Sequence, residues 1–378
     1  MKVTRIAWAP YRIPFVVPYQ TAHGGAATHR VGIILRLESD TGFVGLGEAN
    51  LDPSRPEQDA EAIYPHVEAL ARALLASTPD EYHEALEEHA TGGDAERAAH
   101  CAIETALADA GGRSSGGSLA TLLASQFAGE ASIVHQRVRV NATIAQQRTE
   151  AAAHAALLAV AAGFSCVKLK VGMEPSIDAE VQRVKTIREV IGPDTKLRLD
   201  ANGAWREDVA IETIKALEPY EIELIEQPVP AGDFDALDRV RAALTTTIAA
   251  DEAVVDYETA ERAIHSADAV VLKPMRLGGA SVTRYLAQFA AASGLGVVIT
   301  TTIDTGIGTV MALHVAASLL DDGRAHGLAT ASLLQHDLLT VPIAVERGVM
   351  YLPSAPGLGV ELDDDAAARY LGAWREVR

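Results

Sequence analysis

The feature that most constrains the fold is a regular alternation of short β-branched runs with alanine-rich helical segments, which begins near residue 137. Six of the runs end on a charged or hydroxyl residue, namely Lys170, Asp200, Glu226, Asp251, Lys273 and Thr302. These residues follow one another at intervals of 30, 26, 25, 22 and 29 residues, about the size of one strand–helix unit. Seven units fit in about 200 residues, and a parallel barrel closes with about that many. The spacing therefore predicts an α/β fold, a modified TIM barrel of the (β/α)7β type.

An open doubly wound sheet is the structural alternative, but no GxGxxG motif follows the first strand, and the steady run of units favours closure. Before the barrel, strand patterns up to about residue 50 and helical patterns over about 57–110 predict an α+β unit. The final segment has Gly and Pro punctuation instead of a helix, so we expect it to pack on that unit. The predicted domains are a capping domain over 1–130, joined by about 345–378, and a catalytic barrel over 131–344.

Composition narrows the class of function. The 378 residues include 32 Lys and Arg against 51 Asp and Glu, a formal charge of −19, which argues against nucleic acid as a partner. No stretch has the length and apolarity of a spanning helix, and the amino terminus lacks the apolar core of a signal peptide, so we expect no membrane partner. Two cysteines cannot form a disulfide framework. A cytoplasmic protein is the simplest interpretation.

Three carboxylates, Asp200, Glu226 and Asp251, end successive strands of the predicted barrel. Active sites of barrel enzymes lie at the carboxyl ends of the strands. Carboxylates that converge there would repel each other severely unless a divalent cation lies among them. Any one of them could instead close a loop or cap a helix, but three equivalent positions predict a metal site. Hard oxygen ligands without His or Cys favour Mg²⁺, for which Mn²⁺ could substitute.

Lysines occupy the same level of the predicted barrel. Lys168 and Lys170 lie two residues apart on one strand, so both side chains project to the same face. The apolar residues around them argue for burial, although such a pair is more commonly found on an exposed strand. Two adjacent ammonium groups and partial desolvation should lower the pKa of each, so that one could act as a base. Lys273 lies further round the barrel, with three strands between it and this pair, and can face the pair across the metal site.

The motifs KLK from Lys168, DANGAW from Asp200, EQP from Glu226, ADE ending at Glu252 and LKPMRLGG around Lys273 resemble, as an ordered set, the enolase superfamily. The resemblance covers nearly the whole chain and is to the branch of muconate-lactonizing enzyme. It implies that Asp200, Glu226 and Asp251 hold Mg²⁺, that Lys170 and Lys273 are the acid/base pair, and that Lys168 tunes Lys170. It also implies an auxiliary role for Asn202 and a homo-oligomeric assembly.

Within the superfamily, the seventh strand VVITTTID has no histidine, which disfavours the mandelate-racemase branch. The segments PYQTAHGG, VNATI, TTTIDTGIG and GLATASLLQHD most resemble o-succinylbenzoate synthase, a dehydratase of menaquinone biosynthesis. N-acylamino-acid racemases, dipeptide epimerases and muconate cycloisomerases share the catalytic set and stay open as alternatives. The Asp-x-Asp signature of dipeptide epimerases is absent from GLATASLLQ.

The resemblance implies a small-molecule carboxylate substrate whose carboxylate is anchored on Mg²⁺. Lys170 would remove the α-proton and return a proton to the leaving β-hydroxyl in a syn elimination, while Lys273 stabilises the enediolate. A racemase would instead use the two lysines as bases on opposite faces. A third interpretation is a barrel without catalysis that keeps a metal as a structural staple, but a staple would not need the lysines.

Substrate contacts are expected from two regions. The loop PYQTAHGGAATHR is a natural lid, and its His23 and Arg30 could meet a distal carboxylate, with plain solvated loop residues as the alternative. Thr300, Thr301 and Thr302, with Asp304 close behind, end the seventh strand at a helix start, where backbone amides can hold an anion. Helix capping is the simpler explanation of this second group.

Overall fold

The structure is a computed structural model that describes residues 1–20, 25–87, 92–126 and 133–377. Of the first 126 residues, those that the structure describes form an antiparallel sheet with four helices, which we call the cap. Three of its strands are consecutive in the chain, β1 (Val3–Gln20), β2 (Ala26–Ser39) and β3 (Val44–Ala49). Gly42, at φ 81°, provides the left-handed residue of the turn between β2 and β3.

The cap helices cover one face of this sheet. The longest, α3, packs on β3 because Gly45 and Gly47 have no side chains to separate the two backbones. A Cβ atom at Gly47 would lie 2.0 Å from the carbonyl oxygen of Ala102 in α3. The helices are α1 (Ile63–Ala76), α2 (Tyr82–Glu87), α3 (Asp94–Ser115) and α4 (Leu119–Gln126), with 3-10 turns at Glu57–Ala62 and Pro79–Glu81.

The segment predicted as the first barrel strand is divided in two. Strand β4 (Arg137–Arg139) pairs with β13 (Val349–Tyr351) near the end of the chain, whereas β5 (Ala142–Ile144) pairs in parallel with the next barrel strand. The barrel sheet then runs in chain order with parallel pairing throughout. Its other strands are β6 (Cys166–Lys170), β7 (Lys196–Asp200), β8 (Ile222–Glu226), β9 (Ile248–Ala250), β10 (Ala269–Leu272) and β11 (Gly296–Ile299).

Helices follow each of these strands on the outside of the sheet, so the strands are buried on both faces. Several helices begin at an acidic or hydroxyl cap, as at Ser176, whose side chain accepts a hydrogen bond from the Ala179 amide. The helices are α5 (Thr149–Ala161), α6 (Ile177–Ile191), α7 (Glu207–Leu217), α8 (Phe234–Ala242), α9 (Tyr257–Ser266), α10 (Pro274–Leu277), α11 (Ala280–Ala292) and α12 (Gly306–Ala317), with a 3-10 turn at Glu218–Tyr220.

The eighth strand position is reduced to two residues. The Gly327 amide donates to the Ile299 carbonyl at 2.8 Å, and the Asn141 amide donates to the His326 carbonyl at 3.0 Å. These bonds link β11 to the segment before β5 and close the ring of seven strands. The predicted barrel of (β/α)7β type is confirmed, with a last strand much shorter than a regular one.

The carboxyl-terminal segment divides between two places. Strands β12 (Val345–Glu346) and β13 extend β4 into a three-stranded sheet. Helix α13 (Asp364–Tyr370) contacts β1, and β14 (Arg375–Glu376) pairs with β1 at the edge of the cap sheet. The exact domain boundaries, at residue 130 and near residue 345, stay a prediction.

Two further sequence expectations concern the chain as a whole. In the described ranges, no helix combines the length and apolar character needed to cross a membrane. Cys101 and Cys166 are both buried and both free.

Replacement of Gly47 by alanine should destabilise the cap, because the added Cβ has no space against α3. We expect a loss of about 1–3 kcal/mol of unfolding free energy, measured as a lower melting temperature. Gly111→Ala is the control, since no heavy atom lies within 4 Å of its Cβ position in α3. That variant should gain up to about 1 kcal/mol from helix propensity. Equal melting temperatures for the two variants would contradict the close contact of β3 with α3.

Candidate active site

Three carboxylates meet at the carboxyl ends of adjacent barrel strands. Asp200 is the last residue of β7, Glu226 is the last residue of β8, and Asp251 directly follows β9. One oxygen from each lies within 4.8 Å of the other two, and all three side chains are buried. The backbone pairing of Asp200 with Glu226 fixes two of them in register, so parallel topology alone produces this cluster.

The electrostatics of the three carboxylates fit a divalent cation. Burial raises the pKa of Glu226, the ammonium of Lys168 lowers it, and the charges of Asp200 and Asp251 raise it, with a net increase. That increase reflects like charges held together at low dielectric, which a cation would relieve. The donor set, three carboxylates without His or Cys, is typical of Mg²⁺.

Two lysines of β6 reach the same cluster. The ammonium of Lys168 lies 2.9 Å from Oδ2 of Asp200 and also donates to Glu226. The ammonium of Lys170 lies 2.7 Å from the same Asp200 oxygen and 2.8 Å from Oδ1 of Asn202. The two side chains are therefore on one face of β6 and both point to the metal-ligand candidates.

The protonation of these lysines differs from the expectation. Burial has the largest influence on Lys170 and lowers its pKa, and the charge of Lys168 lowers it too. The charge and hydrogen bond of Asp200 and the charge of Tyr19 together outweigh these effects and leave the pKa raised. Burial also lowers the pKa of Lys168, and three carboxylates raise it well above its usual value. Without a bound cation, the pKa of each lysine is thus raised and not lowered as predicted, because the prediction left out the opposing effect of the carboxylates on the adjacent strands.

Lys273 approaches from another side of the cluster. It follows β10 directly, and its ammonium lies 2.7 Å from Oδ1 of Asp251. Burial lowers the pKa of Lys273, whereas Asp251 and Glu252 raise it, with a net increase. Asp200 thus binds both lysines of β6, Lys168 and Lys170, whereas Asp251, on another side of the cluster, binds Lys273.

Amide side chains support this arrangement. Asn202 accepts a hydrogen bond from Lys170 and donates one to Oε1 of Glu252 at 2.8 Å. Gln227, directly after Glu226, accepts hydrogen bonds from the Asp251 amide at 3.0 Å and from the Ala253 amide at 3.1 Å. Asn202 and Gln227 have left-handed backbones, at φ 45° and 38°, as is common beside functional sites.

A cavity of about 430 Å³ opens above the carboxylates, and we call it the main cavity. Its floor contains Lys168, Lys170, Lys273, Asp200 and Asp251. One wall consists of residues 300–303, which end the seventh strand, so the three predicted threonines line the cavity. Asn202 lines it as well.

The other predicted substrate contacts lie elsewhere. His23 falls outside the described residues. Arg30 and Asp304 are buried and are not among the lining residues of the main cavity. Arg30 donates to protein oxygens behind the wall, and Oδ1 of Asp304 accepts hydrogen bonds from Asn50 and Thr302, so neither side chain lines the main cavity. Sequence proximity to the lid and to the threonines did not reveal which way these two side chains point.

Several lining residues were missed by the sequence analysis. Tyr19 comes from the end of β1, and residues 52–54 come from the cap loop after β3. Thr330 and Leu333 lie in the segment after the closing bridge, where the hydroxyls of Thr301 and Thr330 are 2.6 Å apart. Tyr19 belongs to the predicted lid segment, and Thr330 and Leu333 belong to the segment GLATASLLQHD, but the sequence alone did not indicate that these residues line the cavity.

Comparison with known families covers both parts of the chain. Residues 4–124 match the model of the mandelate racemase / muconate lactonizing enzyme N-terminal domain. Residues 150–366 match the enolase C-terminal domain-like model. The two matches together span most of the chain, and they fall on the cap and on the barrel.

Individual relatives differ in their reactions. The chain is 31% identical to L-Ala-D/L-Glu epimerase of Bacillus subtilis (strain 168), over 95% of this chain and 97% of the relative. It is 35% identical to o-succinylbenzoate synthase of Thermobifida fusca (strain YX), over 57% of this chain and 67% of that relative.

A solved structure of muconate lactonizing enzyme from Pseudomonas fluorescens, complexed with muconolactone, superposes with a TM-score of 0.89. The sequence identity is 26%, over 98% of this chain and 99% of that one. With family models that match both parts and a relative that matches almost end to end, the chain belongs to the enolase superfamily, in the branch of muconate-lactonizing enzyme.

Proposed function

We propose that this enzyme removes a proton from the carbon α to a substrate carboxylate. The observation that carries the proposal is the position of Lys170 and Lys273, which bind opposite ends of one carboxylate cluster and line one cavity. Carbon acids of this kind are weak, so removal of their α-proton needs a positioned base and stabilisation of the resulting enediolate. Lysines above a cation site supply both.

Asp200, Glu226 and Asp251 would hold Mg²⁺. The bound ion would stabilise negative charge on the substrate carboxylate and would offset the charge of Asp200 that keeps Lys170 protonated. Lys170, held by Asp200 and Asn202, would accept the α-proton at Nζ. Lys168, bound to Asp200 and Glu226, would lower the pKa of Lys170, because its own positive charge disfavours a positive charge on the adjacent lysine.

Dehydration of a β-hydroxy carboxylate, as in o-succinylbenzoate synthase, is our first candidate reaction. Lys170 would take the α-proton and return it to the departing hydroxyl on the same face, so that proton and hydroxide leave as water. Lys273, kept protonated by Asp251 and Glu252, would stabilise negative charge from the other side. The 35% identity to an o-succinylbenzoate synthase supports this candidate. A role in menaquinone biosynthesis would follow from it.

Racemisation or epimerisation is the second candidate, and the symmetry of the lysines favours it. Each lysine is paired with one outer carboxylate, so either could act as the base with the other as the acid. The identity to an L-Ala-D/L-Glu epimerase supports this reading. Against a dipeptide substrate, residues 328–335 contain no carboxylate that could bind its ammonium group.

Mg²⁺ should stabilise the folded protein through the carboxylate cluster. At 100 times its dissociation constant, the ion should add about 2.7 kcal/mol to the free energy of unfolding and raise the melting temperature. Glu226→Gln should abolish most of this rise, whereas Glu212→Gln, an exposed control on α7, should keep it. A wild-type melting temperature that is insensitive to Mg²⁺ would contradict the proposed metal site.

Substitution of each lysine should separate the two candidate reactions. Dehydration is measured as the aromatic absorbance that forms from the β-hydroxy carboxylate precursor of o-succinylbenzoate. Racemisation is measured as exchange of the α-proton of each enantiomer of an N-acylated amino acid in ²H₂O. Lys170→Ala should lower turnover by about 10³-fold or more in either case, with Mg²⁺ binding retained. Lys185→Ala, an exposed lysine on α6, is the matched control.

The enantiomer pattern decides between them. In a racemase, Lys170→Ala should lose α-proton exchange for one enantiomer, and Lys273→Ala should lose it for the other. In a dehydratase, α-proton exchange should depend on Lys170 for one stereoisomer only, and the product should not revert. Full turnover of every substrate by Lys170→Ala would overturn the proposed role of this lysine.

A further inference from the structure

A group of buried polar side chains lies behind the threonine wall, and we call it the buried polar cluster. Its cap members are Arg30, Glu48 and Asn50, and its barrel members are Thr302 and Asp304. All five are at most 5% exposed. Buried polar groups are costly unless they are paired, so this cluster must fix the geometry of the segments that it joins.

Arg30 donates hydrogen bonds to two backbone carbonyls and one side-chain oxygen. Its Nε donates to the carbonyl of Ile303 at 2.8 Å, and its Nη1 donates to the carbonyl of Leu51 at 2.6 Å. Its Nη2 donates to the Oδ1 atom of Asn50. A guanidinium group presents these donors in a fixed planar fork, which a lysine cannot reproduce. The residue thus holds the end of the seventh strand at a set distance from the cap.

Asn50 continues the connection into the barrel. Its Nδ2 lies 3.0 Å from Oδ1 of Asp304 and 2.9 Å from Oε1 of Glu48. The hydroxyl of Thr302 lies 2.8 Å from Oδ1 of Asn50 and 2.5 Å from Oδ1 of Asp304. One amide therefore links a carboxylate of the cap, a carboxylate of the barrel and a residue of the cavity wall.

Glu48 fixes the start of α12, the helix that follows the wall. It accepts hydrogen bonds from the Thr305 amide at 2.9 Å, the Thr305 hydroxyl at 2.6 Å and the Gly308 amide at 2.9 Å. Tyr11 of β1 donates to the same carboxylate at 2.8 Å. A carboxylate at a helix amino terminus is stabilising, and here it is supplied by a different part of the chain.

The wall itself contains a strained residue. Ile303 lines the main cavity and has φ 62°, a left-handed conformation that is a genuine outlier for a β-branched residue. Its amide lies 3.3 Å from the hydroxyl of Thr301, and its carbonyl accepts the bond from Arg30. Such a conformation persists only where its surroundings hold it, and it costs on the order of 1–3 kcal/mol.

We propose that Arg30, Asn50 and Asp304 are positioning residues that set the shape of the substrate cavity by holding residues 300–303 in their strained conformation. The proposal rests on the proposed function in taking this cavity as the substrate site. None of the three lines the main cavity, so they act through Thr302 and Ile303. The cap would then determine one wall of the site from behind, in addition to the residues 52–54 that it places at the opening.

The electrostatic state of the cluster gives a pH prediction. Burial raises the pKa of Asp304, and Glu48 raises it further, to about 6, although Thr302, Arg30 and Asn50 lower it. Tyr11 and Cys101 also lie close enough for the charges of Glu48 and Asp304 to raise their pKa values. The folded state therefore binds the Asp304 proton more tightly than the unfolded state, where the pKa is about 3.9. Stability from this group is present below about pH 4 and is lost as the pH rises to about 6.

Asp304→Asn should remove that loss, because the amide does not titrate. The melting temperature of the variant minus that of the wild type should increase from about pH 4 to about pH 6 and level off at higher pH. Taking the difference cancels the titration of groups that do not interact with Asp304, so the remaining pH dependence belongs to Asp304 together with Glu48. A difference that stays constant with pH would show that Asp304 does not change its protonation in this range.

Arg30→Lys tests the positioning role directly. Arg36→Lys is the matched control, since Arg36 is on the same strand but its guanidinium is on the surface near Asp364. Hydrogen–deuterium exchange of the amides over 299–308 should rise about tenfold or more in Arg30→Lys, with the other barrel strands unchanged. The melting-temperature rise with Mg²⁺ should persist. For the substrate found in the assays above, KM should rise about tenfold, with a smaller change in kcat.

Unchanged exchange over 299–308, or a lower kcat with an unchanged KM, would overturn the positioning proposal while leaving the proposed function intact. Absence of a response to Mg²⁺ in the wild type would instead count against the proposed function, and the exchange measurement would still test the wall. Should Arg30→Lys fail to fold, Asn50→Ser provides the second variant. It removes the amide that links Arg30 to Thr302, and the same outcomes apply.

Discussion

The mutual repulsion of Asp200, Glu226 and Asp251 is the constraint on which the site depends. Parallel pairing forces the three carboxylates together at one end of the barrel, where burial makes their charges costly. Positive charge must therefore collect around them, and Lys168, Lys170 and Lys273 supply it. The lysines are held protonated by the same carboxylates, so a metal ion and the lysines compete for the same oxygens. A cation bound by these carboxylates would offset their negative charge. The pKa of the lysines would then fall, and a neutral lysine could act as a base.

The cap is part of this site in two ways. On the side of Lys273, helix α3 binds the turn that follows the lysine. Arg97 donates to the Arg276 carbonyl at 2.7 Å, and Glu104 accepts a hydrogen bond from the Ala280 amide at 2.7 Å. On the side of the threonine wall, Arg30 and its neighbours hold the end of the seventh strand. Both loops belong to the barrel, yet their conformations depend on cap residues. Cap and barrel therefore have to be correctly assembled before the cavity has its shape.

The sequence predicted the barrel and the positions of the strand-end residues because both follow from a repeated pattern. A strand–helix unit of constant length places residues of equal position at the same end of the sheet, whatever lies elsewhere. Two features broke this regularity and were not predictable from it. The first strand is divided because β4 has an alternative partner in β13, and the last is reduced to His326 and Gly327. Both depend on contacts between segments distant in the chain.

The same distinction explains the errors within the site. Arg30 and Asp304 are polar and close in sequence to cavity residues, but both side chains bind Asn50, which the sequence alone does not bring near them. The pKa of Lys170 likewise depends on Asp200, one strand away.

In the described part of the chain no arginine lines the main cavity. The positively charged side chains that do line it are Lys168, Lys170 and Lys273, and all three lie at the carboxylate cluster. Under the function and the positioning role proposed above, the rest of a substrate would meet the uncharged wall over 300–303 and the cap loop over 52–54, which includes Asp52. Because the cap supplies that loop and holds that wall from behind, the cap would determine which carboxylates are accepted.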